Sequence, residues 1–256
     1  DVRMSTMPVQ HGESVVMRLL DQTDGATDLN EVGMPKEMLE RFRQLIHMPH
    51  GLILVTGPTG SGKTTTLYGA LQELNEVGKK IITVEDPVEY RLHRINQVQI
   101  NPKIELSFAK VLRSALRQDP DILLVGEIRD QETAEIALRA AMTGHMVLST
   151  LHTNDAVSSS MRLVDMGAEG FLAATALRAV VAQRLVRRLC DNCYEDHVPD
   201  TKDMAWIRNL LGDKANAMTL KQAVGCHRCN NTGYRGRIGV FEILVLNEAL
   251  ADALRR

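Results

Sequence analysis

An α/β fold with a largely parallel central sheet is predicted for this 256-residue chain by three observations. From Gly51 onward, short aliphatic runs alternate with longer helical patterns, the signature of α/β domains. The runs at 52–56, 80–84, 121–125 and 146–150 are rich in Val, Ile and Leu, as in strands buried on both faces. A glycine-rich loop at 57–64 separates the first run from a helical pattern, and such sheets bind ligands at the C-terminal ends of their strands. Composition agrees with this reading. With 44% hydrophobic and 24% charged residues, the chain is neither disordered nor collagen-like. Aromatics are only 4%, so the core must be aliphatic. Thirty basic residues against 32 acidic ones argue against a strongly basic nucleic-acid binder.

The elements follow in order. Val2, Met4 and Thr6, and then Val15, Met17 and Leu19, alternate with their neighbours around Gln10-His11-Gly12, which predicts a β-hairpin or meander. No sheet accompanies that hairpin and the first residue is Asp1, so residues 1–22 are read as the end of a preceding domain in a longer protein. Residues 23–34 hold several turn formers and no clear period, and read as a linker. The main domain is expected over 35–256. It opens with a helix at 35–47, where Pro35 suits the first turn and Leu39, Phe42 and Ile46 share a face. Between the aliphatic strands, Phe108, Val111, Leu112 and Leu116 form one helical stripe, and Asp130 is read as the cap of a helix ending near Gly144. After Leu151 the pattern predicts helices at 156–166 and 169–189, a cysteine-bearing segment and a strand at 237–246. No apolar run approaches the roughly 18 residues that span a bilayer, and no secretory leader is expected.

Gly57-Pro58-Thr59-Gly60-Ser61-Gly62-Lys63-Thr64 reads G-x-x-x-x-G-K-S/T between a strand and a helix that takes in Thr65. Glycines let successive amides converge on phosphate oxygens, and the helix N-terminus adds its dipole. In this pattern Lys63 reaches the β- and γ-phosphates, and the Thr64 hydroxyl ligates Mg²⁺. Hydrolysis also needs acids. Glu85 and Glu127 follow the next two strands and are expected at the same sheet edge, where either could orient and deprotonate water. Gly126 stands where an Asp commonly holds the metal, so Mg²⁺ is expected to be held through water, with Glu127 and Glu85 beyond it. His152 follows the fourth strand and could report on a γ-phosphate. His145 precedes that strand and reads as structural.

Cys190-x-x-Cys193 and Cys226-x-x-Cys229 are separated by 32 residues and leave no cysteine unpaired. Two such pairs can make a tetrahedral thiolate site for Zn²⁺, although the gap is wider than in a compact zinc ribbon. Arg178, Arg184, Arg187 and Arg188 form a local basic run; a nucleic-acid site is one reading, but helical spacing without interleaved aromatics favours a solvated or subunit-contacting face.

Four segments stand in order: GPTGSGKTTTLYGALQELN, ITVEDPVEY, LRQDPDILLVGEIRDQETAEIA and TGHMVLSTLHTNDA. Together they resemble the Walker A, Asp-box, atypical Walker B and His-box motifs of the secretion ATPases that drive type II secretion and type IV pili. That family's Walker B shares the missing aspartate. The resemblance implies a RecA-like ATPase domain with parallel-rich sheet, preceded by a smaller α/β domain, with ATP or ADP in the cleft between them. It implies a hexameric ring acting on an inner-membrane platform protein, peripheral to the cytoplasmic face of that membrane and without nucleic acid. It places Arg3 and Arg18 at the family's nucleotide-facing arginines, able to neutralise the γ-phosphate. It also implies that the four cysteines form the tetracysteine zinc module of the assembly and secretion branch, over 190–233. Phrases such as FLAATALRAVVAQRLVRRLC resemble, within the family, motors of the mannose-sensitive haemagglutinin type of pilus. Two rival readings are a nucleic-acid-translocating ring ATPase of the conjugation type and a non-catalytic nucleotide-binding module.

Overall fold

A computed structural model of the chain describes residues 2–19 and 28–255. In chain order the elements are β1 (Val2–Val9), β2 (Gly12–Leu19), α1 (Lys36–Ile46), β3 (Gly51–Thr56), α2 (Lys63–Leu74), β4 (Ile81–Glu85) and β5 (Asn96–Gln99). Then come α3 (Phe108–Ala115), β6 (Ile122–Val125), α4 (Gln131–Met142), β7 (Met146–Leu151), α5 (Ala156–Asp165), α6 (Gly170–Ala176) and β8 (Leu177–Leu189). The chain closes with β9 (Glu195–His197), α7 (Thr201–Leu211), β10 (Leu220–Gln222), β11 (Tyr234–Val245) and α8 (Glu248–Arg255). Asp1–Arg184 with Gly239–Arg256 form one compact unit, and Leu185–Ile238 form a second.

The first unit is built on a seven-stranded sheet of order β11-β8-β3-β7-β6-β4-β5. Every pairing from β8 across to β5 is parallel. Successive residues of a strand point to opposite faces, and the core divides accordingly. Leu52, Leu54, Ile82, Val84, Leu123, Val125, Val147 and Val180 pack in one layer with α3, α4, α5, α6 and α8. Ile53, Val55, Ile81, Ile122, Leu124, Met146, Leu148 and Val181 pack in the other with α1 and α2. Both faces of the central strands are therefore dry, which explains their unbroken aliphatic runs.

The helix starts follow from their side chains. Asp130 accepts the Thr133 amide at 2.8 Å, Asp155 the Ser158 amide at 2.7 Å, and Ser107 the Lys110 amide at 3.3 Å. Helix α2 differs. It rises from Gly62, whose φ is +88°, with no side-chain cap, so its first amides stay available to a ligand.

The segment 169–189 departs from the sequence reading. The expected helix over 169–189 is α6 followed by strand β8. A short apolar run looks alike in a buried helix and a buried strand. Here the second edge of β3 decides: β8 pairs with it in parallel from Leu52↔Leu177 to Thr56↔Ala182. The arginines of this run therefore lie on a strand. The polar strand β5, at the sheet edge, was also not expected. Of the linker expected at 23–34, residues 23–27 lie outside the described residues, while Leu29 and Met34 are buried in the α1–α2 layer.

The N-terminal hairpin is antiparallel, with Arg3 opposite Arg18. The second unit holds the antiparallel pair β9–β10 and the helix α7. Among the described residues, no helix is long and apolar enough to cross a membrane.

Leu54 sits at the sheet centre with no exposed surface. Leu54→Ala should lower stability by about 2–5 kcal/mol, whereas loss of the Asp130 cap in Asp130→Ala should cost about 1 kcal/mol. Urea denaturation of the two variants checks the difference.

Candidate functional site

The C-terminal ends of β3, β4, β6 and β7 carry the loop beginning at Gly57, Glu85, Glu127 and His152, respectively. Parallel pairing in register therefore brings the sequence-predicted groups to one sheet edge.

The loop is held by backbone packing. Gly57 has φ +142°, and a Cβ there would lie 2.1 Å from the Gln183 carbonyl oxygen, so β8 leaves room only for glycine. Gly60 and Gly62 also have positive φ, which curls the loop. Pro58, Thr59 and Gly60 are exposed, and Thr64 and Thr65 are half-buried in the first turn of α2. Lys63 folds back, donating from Nζ to the carbonyls of Gly57 (2.7 Å) and Pro58 (3.2 Å). Burial pulls the Lys63 pKa down, and the nearby charge of Glu127 opposes that shift. Ser61 Oγ is buried without a hydrogen-bond partner, an orphaned polar atom inside the loop. A loop with an unpartnered Ser61 hydroxyl and the Lys63 ammonium beside it fits a nucleotide's phosphates. Behind it, Thr66 Oγ1 donates to the buried Gln183 Oε1 at 2.7 Å.

The two acids differ in setting. Glu85 is 4% exposed. Its carboxylate accepts from Tyr68 Oη, Thr83 Oγ1 and, at 3.3 Å, Gln97 Nε2. Burial pushes its pKa up, and these three donors work against that. Glu127 is less enclosed. Arg129 Nη2 donates to its Oε1, and His152 Nε2 lies 3.4 Å from its Oε2. The same guanidinium reaches Asp86 Oδ2 at 3.5 Å. Gly126 packs tightly: a Cβ there would lie 3.1 Å from the Val84 carbonyl, which leaves little room for an aspartate. His145, at the opposite strand end, bonds the Ala140 carbonyl at 3.0 Å through Nδ1.

Tyr68 and Arg129 were not singled out in the sequence. The first has a signal, a tyrosine in the apolar body of the helix that follows the phosphate loop; the second lies two residues past Glu127. The side chains of Arg3 and Arg18 lie outside the described residues. The remaining arginines have separate partners: Arg178 the Thr175 carbonyl, Arg184 the Asn154 carbonyl, Arg187 the Tyr234 ring and Arg188 Asp191.

In the second unit the four cysteines converge, with all Sγ atoms within 4.8 Å of one another. Sγ separations are 3.9 Å for Cys190–Cys226, 3.8 Å for Cys193–Cys229 and 3.7 Å for Cys226–Cys229. Thiolates about 2.3 Å from a tetrahedral zinc lie about 3.8 Å apart, so the set fits that ion. Although burial opposes ionisation of Cys229, the amides of Cys226 and Gly233 donate to its sulfur and bring its pKa down to about 6. The thiolate is the form that binds metal.

The family described as type II/IV secretion system protein matches residues 1–256. The chain is 52% identical over 255 residues to the type II secretion system ATPase E of Vibrio cholerae, covering 99% of this chain and 50% of that protein. It is 51% identical over 254 residues to the type II secretion system protein E of Dickeya dadantii, with coverage of 99% and 50%. The chain thus spans about half the length of these curated relatives. Among solved structures, the pilus retraction motor PilT with bound ADP gives a TM-score of 0.68 at 31% identity, covering 99% of this chain and 66% of that one. The ATPase DotB of Legionella pneumophila gives 0.68 at 25% identity, with coverage of 98% and 59%.

The loop geometry generates a graded expectation. Gly60→Ala meets no atom within 4 Å and carries only backbone strain, about 1 kcal/mol, whereas Gly57→Ala adds a collision with β8 and should cost about 3 kcal/mol or more. Urea midpoints of the two variants measure the gap.

Proposed function

The chain belongs to the type II/IV secretion system protein family, and we propose that it is the ATP-hydrolysing part of a motor for type II protein secretion or type IV pilus assembly. The observation that carries the proposal is the gathering of a complete phosphate loop, Glu127, Glu85 and His152 on one edge of a parallel sheet. Identities of 52% and 51% to type II secretion proteins favour that machine over the mannose-sensitive haemagglutinin pilus.

In the proposed mechanism, Lys63 leaves the Gly57 and Pro58 carbonyls and binds the β- and γ-phosphates. Ser61 Oγ and the open amides of α2 donate to the same phosphate oxygens. Thr64 Oγ1 would hold Mg²⁺, which would supply charge neutralisation on the phosphates. Glu127 orients and deprotonates the attacking water. Its support is a less enclosed carboxylate set between Arg129 and His152. Glu85, with three donors already on its carboxyl group, acts behind Glu127 rather than on the water. His152, beside Glu127, senses loss of the γ-phosphate. Arg3 and Arg18 neutralise transition-state charge from the preceding domain, an assignment that rests on the family resemblance alone. Cys190, Cys193, Cys226 and Cys229 hold Zn²⁺ as a structural crosslink. The whole protein works as a hexamer at the cytoplasmic face of the inner membrane, against a platform protein and without nucleic acid.

Two measurements test this reading. Mg-ATP turnover per chain should rise with protein concentration, and Glu127→Gln should fall by about a hundredfold or more. Equal rates for wild type and Glu127→Gln would reduce the chain to a nucleotide-binding module. Elemental analysis should find one zinc per chain. Chelation should unfold the segment 190–233, seen as fast amide exchange confined to it, while the phosphate-loop unit stays protected.

A further inference from the structure

Tyr68 and Arg129 join the candidate machinery through a hydrogen bond to Glu85, the peptide link from Glu85 to Asp86, an ion pair and a hydrogen bond to Glu127. Tyr68 lies on α2, five residues after Lys63, and is 1% exposed. Its hydroxyl donates to Glu85 Oε2 and accepts the Glu89 amide at 3.4 Å. Its ring meets Tyr90 edge-on at 4.7 Å, and Gln97 Nε2 donates to the Tyr90 carbonyl at 3.1 Å. The end of β4 and the segment after it are thereby tied to the helix that begins at the phosphate loop. Asp86, next to Glu85, places its carboxylate 3.5 Å from Arg129 Nη1. The other arm of the same guanidinium, Nη2, donates to Glu127 Oε1.

An exposed ion pair such as Arg129 with Asp86 contributes little stability by itself. Its geometry matters more. The planar fork of an arginine can span two carboxylates in fixed directions. Here it sets one oxygen of Glu127 and leaves the other toward His152. At the far end, a buried carboxylate that loses its phenol donor is left short of a partner, which is costly for a charged acceptor. The links therefore run from α2 to Glu127 with the Glu85–Asp86 backbone as the middle step.

We propose that Tyr68 and Arg129 are positioning residues of a single relay that sets the orientation of Glu127 relative to the phosphate loop. This inference rests on the ATPase reading above. Losing one hydrogen bond to a charged group should lower kcat about tenfold in Tyr68→Phe and in Arg129→Gln, with the KM for ATP within about twofold of wild type. Because the two act in series, the double variant should be no slower than the slower single one, whereas independent effects would multiply to about a hundredfold. Wild-type kcat in either single variant, or losses that multiply, would overturn the relay. Asp86→Asn, at an exposed position, breaks the same path without touching the core and carries the test should Tyr68→Phe not fold.

Glu127→Gln is run alongside to separate the two readings. If wild type is no faster than that variant, the ATPase reading fails by itself. Amide exchange at Glu89, whose N–H bonds the Tyr68 hydroxyl, then decides the relay's first link. Faster exchange in Tyr68→Phe supports that link, and unchanged exchange removes it.

Discussion

The parallel pairing of β3 on both of its edges is the constraint on which the site depends. With β7 on one side and β8 on the other, the end of β3 has no lateral freedom. Thr56 Oγ1 fastens it further by donating to the carbonyls of Leu151 and Thr153, each at 3.1 Å. The phosphate loop starts from that fixed point, and the close approach of Gly57 to the Gln183 carbonyl continues the restraint one residue further. Since β6 pairs with β7, and β4 with β6, one register also places Glu127, Glu85 and His152. Binding groups and acids share a single frame.

Within that frame, two carboxylates at adjacent strand ends occupy unlike environments. Glu85 ends its strand inside the sheet layer, and its carboxyl group is buried and enclosed by donors from α2, β4 and β5. Glu127 comes two residues after β6 and is bonded by Arg129. A desolvated carboxyl held by neutral donors suits a fixed structural joint, whereas a carboxylate facing a cation and a histidine suits proton transfer to or from water.

Most of the sheet was legible because strands buried on both faces write continuous aliphatic runs, and the runs at 52–56, 80–84, 121–125 and 146–150 all became strands. The phosphate loop was legible because its glycines and Lys63 are fixed by local backbone geometry. Strand β8 was misread because its identity lies in its neighbour: 177–182 carries no local mark distinguishing it from the end of α6 until β3 is beside it. The four cysteines were visible as pairs, but their convergence is a tertiary fact supplied by the turns after Cys190 and Cys226. The Tyr68–Glu85 contact was hidden for a similar reason. In sequence Tyr68 is one more apolar position on a helix, and only the packing of α2 under β4 turns its hydroxyl into a donor.

Strands β8 and β11 are neighbours in the sheet, and the second unit is the chain between their outer ends. Both junctions of the thiol-bearing unit therefore fall on adjacent strands at one sheet edge. In topological terms it is an insertion whose removal would leave two strand ends that a short turn could join. The seven-stranded order, both core layers and the phosphate-loop edge need none of its residues. A fold divided in this way can gain, lose or exchange such a unit without disturbing the order of the sheet that carries the glycine-rich loop.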